Sequence, residues 1–128
     1  MLLQASLEFF VLVSLLLVIL IVVMYFNSSY YYQFNLQRIY SEANKISENI
    51  ASEINLALKA GDGYSRVFYI PGKILDSIDF DIKVSNFRVY VYWDNNFSQS
   101  VIYTKEVIGT FKNGENWIRN INGEIYVN

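Results

Sequence analysis

The spacing of apolar residues along the chain changes character twice. From Phe9 to Phe26 nearly every position is apolar, with Ser14 the only polar interruption. A run of about 18 such residues can cross the ~30 Å hydrocarbon core of a bilayer, so a membrane-spanning segment is expected over 9–26. Beyond it, Leu36, Ile39, Tyr40, Ala43, Ile46, Ile50, Ile54, Ala57 and Leu58 recur at steps of three and four, while Arg38, Glu42, Lys45, Glu48, Glu53 and Lys59 mostly take the other side. That is an amphipathic helix. No proline precedes Pro71 and no glycine precedes Gly61, so nothing forces a break and one long N-terminal helix over 4–60 is expected. Lys59 suits its negative end, Gly61 can take the left-handed closing conformation, and Asp62-Gly63 makes a turn.

From Tyr64 the period becomes two, which predicts a β-rich C-terminal domain over 64–128. Ile78, Phe80, Ile82 and Val84 alternate with Asp79, Asp81 and Lys83, and Phe87, Val89, Val91 and Trp93 alternate with Arg88, Tyr90 and Tyr92. A two-residue loop at Ser85-Asn86 would set Val84 against Phe87, Ile82 against Val89, Phe80 against Val91 and Ile78 against Trp93. It would also oppose Lys83 to Arg88, so a longer loop stays open. Asn122-Gly123 is the strongest hairpin signal and joins Trp117–Ile121 to Glu124–Val127. Arg66–Ile70, Ser100–Lys105 and Glu106–Phe111 are further candidates, for five to seven strands in all. A sheet this small cannot bury its apolar face alone, and the helical stripe also lacks a partner. The expected fold is therefore α+β: a long helix, transmembrane then amphipathic, packed on a small antiparallel sheet. Its core pairs Ile39, Ala43, Ile46, Ile50 and Ile54 with Phe80, Ile82, Val89 and Val91.

Composition narrows the function. At 128 residues the chain offers one domain's worth of material, and its 53% apolar content is concentrated in the N-terminal run. With no cysteine and no histidine it lacks thiolate nucleophiles, disulfides and the commonest general base and metal ligand. A net charge of -2 gives no electrostatic grip on nucleic acid. Asp76, Asp79, Asp81 and Asp94-Asn95-Asn96 do not fit calcium-loop spacing, and a cleft for paired catalytic carboxylates has little room. No enzyme activity, cofactor or metal is expected.

The apolar run is too long for the core of a secretory signal, and Asn27-Ser28-Ser29-Tyr30-Tyr31-Tyr32 follows it instead of a small-residue cleavage site. A retained anchor fits better, with Tyr25 and Tyr30–Tyr32 at headgroup depth. The first basic residue is Arg38, so charge asymmetry does not orient the span. Asn27 and Asn96 each begin an N-glycosylation acceptor pattern, and Asn96, in a turn, is the more accessible.

Gln4-Ala5-Ser6-Leu7-Glu8-Phe9, directly before the apolar run, resembles the Q-x-S-x-E-F motif of archaeal type IV pilin-like proteins with a class III signal peptide. The layout of membrane helix, amphipathic helix and small β domain is similar along the whole chain, and Gly61 to Pro71 and Asn122 to Ile125 also look like that family. The resemblance implies a structural filament subunit. Leu3, Gln4, Ala5, Ser6, Glu8 and Phe9 would form the processing motif, with residues 1–3 a residual leader that a prepilin peptidase removes. Glu8 would then offer its carboxylate to the new α-amino group of Gln4 on a neighbouring copy and so set subunit register. The implied partners are further copies in a helical homo-oligomer, the membrane before assembly, and an assembly ATPase with its platform. The implied locations are the cell membrane, with the C-terminal domain outside, and a surface filament serving adhesion. A monomeric anchored surface domain, or a minor pseudopilin-like component that binds a ligand or secretion machinery without polymerising, is the alternative.

Overall fold

A computed structural model describes residues 1–128. Helix α1 runs Leu2–Ala60 without interruption. It closes as the sequence implies: Lys59 lies in the last turn, Gly61 has φ 86°, and its N–H reaches the Ala57 carbonyl at 3.3 Å. The chain falls into two units, Met1–Gln37 and Arg38–Asn128. In the first, all side chains are exposed, and the most apolar 18-residue window has a mean hydropathy of 3.2 with none of it buried. Its length and composition suffice to cross a membrane.

The second unit holds the remainder of α1 and seven strands: β1 (Ser65–Ile70), β2 (Asp81–Ser85), β3 (Arg88–Trp93), β4 (Asn96–Val101), β5 (Ile108–Gly109), β6 (Gly114–Ile121) and β7 (Glu124–Val127). They form two sheets where the sequence pattern suggests one. The first has the order β1-β6-β7-β5, and the second the order β2-β3-β4. All pairings are antiparallel except β5 with β7, which is parallel. One helix serves both sheets because its buried stripe is broad: Ala43, Ile46, Ser47, Ile50, Ala51, Ile54 and Ala57. Ile39 is half-buried against the same core, as is Ile82, whereas Phe80, Val89 and Val91 are buried. Phe80 precedes β2 and is not a strand residue.

The β2–β3 hairpin corrects the expected register. Its loop is Asn86-Phe87, both with positive φ (50° and 63°), and the pairs are Ser85↔Arg88, Val84↔Val89 and Ile82↔Val91. The partners differ by two residues from those of a Ser85-Asn86 loop. A shift of two keeps every side chain on its face, so apolar alternation cannot distinguish the two registers. Charge can: Lys83 now opposes Tyr90 and sits 5.8 Å from the Tyr92 ring centre, away from Arg88. Ile78 is not opposite Trp93 but bridges Ile74 in a local turn.

Two other strands also depart from expectation. The Trp93↔Asn96 pair makes Asp94-Asn95 a two-residue turn and starts β4 at Asn96, four residues before the expected Ser100. Of Glu106–Phe111 only Ile108–Gly109 pairs. Gly109 has φ 106°, and a Cβ there would run into the Val127 carbonyl oxygen, so only glycine permits this approach. The Asn122-Gly123 turn is as the sequence indicates, with Ile121↔Glu124 closing the hairpin.

Candidate functional site

The residues of the processing motif share one stretch of helix. Leu3, Gln4, Ala5, Ser6, Glu8 and Phe9 all lie in the first two turns or so of α1 with their side chains exposed. Gln4 and Glu8, four apart, project from one face. The first turn holds no acid, so Glu8 lies past the zone where the helix's positive end favours a carboxylate. Ser14 donates to the Phe10 carbonyl at 2.7 Å and Ser29 to that of Tyr25 at 3.4 Å, a local satisfaction that asks for no partner.

In the folded unit, the end of α1 is tied to the β6–β7 turn. The Asn120 side chain, 2% exposed, donates through Nδ2 to the Ala57 carbonyl at 2.9 Å and accepts the Gly123 N–H through Oδ1 at 2.9 Å. Its backbone bonds Tyr64 and Gly63, and the Asp62 carboxylate accepts the Asn122 N–H at 2.7 Å. The two segments singled out by the family resemblance, Gly61–Pro71 and Asn122–Ile125, therefore meet here. A second buried amide, Asn116, bonds both the N–H and the C=O of Lys112 and accepts from Asn128. Neither asparagine stands out in the sequence. The strand period could have found both, because Ile118 faces inward and residues two away share its face.

Strand β4 meets α1 through a polar seam. Tyr40 donates to Asn96 Oδ1 at 2.8 Å, Ser98 donates to Asn44 Oδ1 at 3.1 Å, and Ser47 and Ser100 share a bond of 2.8 Å. Asn55 binds the chain just beyond, donating to the Val101 carbonyl at 3.2 Å and accepting the Tyr103 N–H at 2.9 Å. The seam includes Asn96, the better glycosylation candidate. Its Oδ1 is taken by Tyr40, whereas Nδ2, the atom that would carry a glycan, makes no hydrogen bond. Asn27 is exposed on α1.

Of the aromatics, Tyr90, Tyr92 and Phe97 cluster on the face of β3 and β4 turned away from α1, with ring centres 5.8 to 6.1 Å apart. Trp117 is exposed on the other sheet. Tyr126 bonds Glu124 at 3.1 Å, and that bond, together with the carboxylate's charge, holds its phenol above the ordinary range. No group of three or more metal-ligating side chains converges. Comparison with family models, curated proteins and solved structures returns no match for this chain.

Proposed function

We propose that the chain is a subunit of an archaeal type IV pilus-like surface filament, in which the helix forms part of the filament core and the β domain faces outward. The observation that carries this reading is the contrast between the two units. Met1–Gln37 holds the apolar run Phe9–Phe26 and has no buried side chain, whereas Arg38–Asn128 is folded around its own core. An apolar helix of that kind requires a surrounding, supplied first by lipid and then by the helices of other copies. Gln4 to Phe9, at the head of the run, carry the pilin-like motif. A prepilin peptidase would cut before Gln4, and an assembly ATPase with its platform would supply the work of extraction, since this chain has no P-loop of its own. Adhesion would fall to the outward β domain.

The test is N-terminal mass spectrometry on filaments sheared from cells. A mature chain that begins at Gln4 supports the reading. Filaments containing only intact chains remove the processing step, and a surface protein found only as a membrane-bound monomer removes polymerisation.

A further inference from the structure

Strand β4 is the outermost strand of its sheet, and its free edge is open. The Ile102 N–H donates to the Phe87 carbonyl at 3.0 Å, which fixes the alternation of the backbone. Ser98 and Ser100 turn their groups to β3, while Phe97, Gln99 and Val101 turn theirs away from it. Natural edges are blunted by proline, lysine or a bulge, but Asn96–Val101 contains neither proline nor lysine. The one covering group is the Asn55 carboxamide. It donates to the Val101 carbonyl and accepts from the Tyr103 N–H, the two contacts that one residue of a parallel strand would make opposite Ile102. The equivalent positions opposite Ser98 and Ser100 are vacant: the carbonyls of Phe97 and Gln99 and the N–H groups of Gln99 and Val101 have no partner there.

Alongside that edge lies a groove of about 960 Å³ between α1 and β4, walled by Glu48, Asn55, Leu56 and, at its far end, Lys59 on one side and by Gln99 and Val101 on the other. Its direction follows from the seam, since Tyr40, Asn44 and Ser47 meet Asn96, Ser98 and Ser100 in order. Helix and strand therefore run the same way. A segment parallel to β4 would enter beside Glu48 and end at Asn55. Glu48 accepts only from Asn44, at 2.7 Å, and no cation pairs with it. We propose that the β4 edge takes an extended peptide segment of another protein, added as a parallel strand up to Asn55, with a basic residue at the segment's N-terminal side set against Glu48. Main-chain bonds would supply the affinity and the groove the preference. The proposal does not depend on filament formation.

The test uses the full chain in detergent micelles and the synthetic peptide acetyl-Lys-Val-Thr-Val-Thr-amide, with backbone amide exchange followed by NMR. Saturating peptide should slow exchange at Gln99 and Val101 by about threefold or more, and the same peptide with methylated backbone nitrogens should have no effect. Glu48→Gln, an exposed and conservative change, should weaken binding by about two- to fivefold, the size of a surface ion pair. In Asn55→Ala the protection should extend to Tyr103. Unchanged exchange at Gln99 and Val101, equal binding of the methylated peptide, or protection confined to the edge of β1 would each overturn the proposal.

Discussion

Replacing Asn120 tests whether the helix end is held to the β6–β7 turn by a buried donor. Asn120→Ala removes the bonds to the Ala57 carbonyl and the Gly123 N–H, each worth about 1 kcal/mol net, and empties space filled by a side chain that is 2% exposed, at a further cost of ~1 kcal/mol or more. Ala57 keeps its bond from Gly61, so the expected loss is about 2 to 4 kcal/mol. Asn120→Asp is nearly isosteric and keeps the acceptor for Gly123. It places a carboxylate where a donor faced a carbonyl at the negative end of α1, and at neutral pH it should cost as much as the alanine change or more. Burial beside a carbonyl raises the folded-state pKa of that carboxyl above its unfolded value of about 3.9. The destabilisation is therefore full above the folded pKa and shrinks as pH falls toward the unfolded one, because the protonated acid can again donate to Ala57. Urea melts of Arg38–Asn128, produced without Met1–Gln37, measure both variants, and with a slope of about 1 to 3 kcal/mol/M the midpoints should fall by roughly 0.7 to 4 M. Measuring the gap between the two variants at pH 7 and pH 4 cancels the titration of other carboxylates. A pH-independent gap, or an aspartate variant as stable as the parent at pH 7, would refute the buried-donor account.

The other expectations concern the core, a close contact and assembly. Ile50 is 1% exposed, so Ile50→Asp should unfold the same fragment, whereas Glu48→Ala on the solvent side should shift its stability by under ~0.5 kcal/mol; equal urea midpoints would mean that the stripe does not hold the sheets. Gly109→Ala should strip β5 from β7, because the new methyl group meets the Val127 carbonyl, and fast amide exchange at Ile108 and Val127 with the rest of the unit still protected would report it. Glu8→Ala should leave membrane insertion intact or improved while blocking or slowing incorporation into filaments. Normal filaments from that variant would leave Glu8 no role in register.

How far the sequence specifies this fold can be followed strand by strand. Helix α1 was legible because nothing breaks it before Gly61 and its stripe has one clear period. The β6–β7 hairpin was legible because Asn122-Gly123 supplies both positive φ values. Strand β4 was not, since its inward face is Asn96, Ser98 and Ser100 while Phe97 and Val101 face outward. A rule that sends apolar residues inward places this strand backwards, and only the hydroxyls and amides of α1 make its orientation favourable. The division into two sheets was equally hidden, because alternation reports the face of each strand and says nothing of its neighbour. As for the candidate site, the motif around Gln4 and Glu8 was visible only as a resemblance. The structure adds that these side chains lie exposed on one uninterrupted helix.

On the proposed reading, the energetics of assembly cannot be hydrophobic in the ordinary sense. Moving Phe9–Phe26 from lipid into a bundle of like helices exchanges one apolar surrounding for another, so close packing and a few polar groups must decide whether the helix stays in the membrane or enters a filament. Glu8 is the only charged side chain before Arg38. In lipid a carboxylate near a helix end reaches the headgroups, but carried toward the bilayer centre it would cost roughly 2.5 to 3.5 kcal/mol. In a filament core the same group, left unpaired, would cost at least as much, and a cationic amine from a neighbouring copy offsets that cost in one axial position only. A carboxylate–amine pair of this kind adds little net stability. Its effect is to penalise every register but one, which a uniformly apolar helix cannot do, and the work of leaving the membrane still has to come from outside the chain.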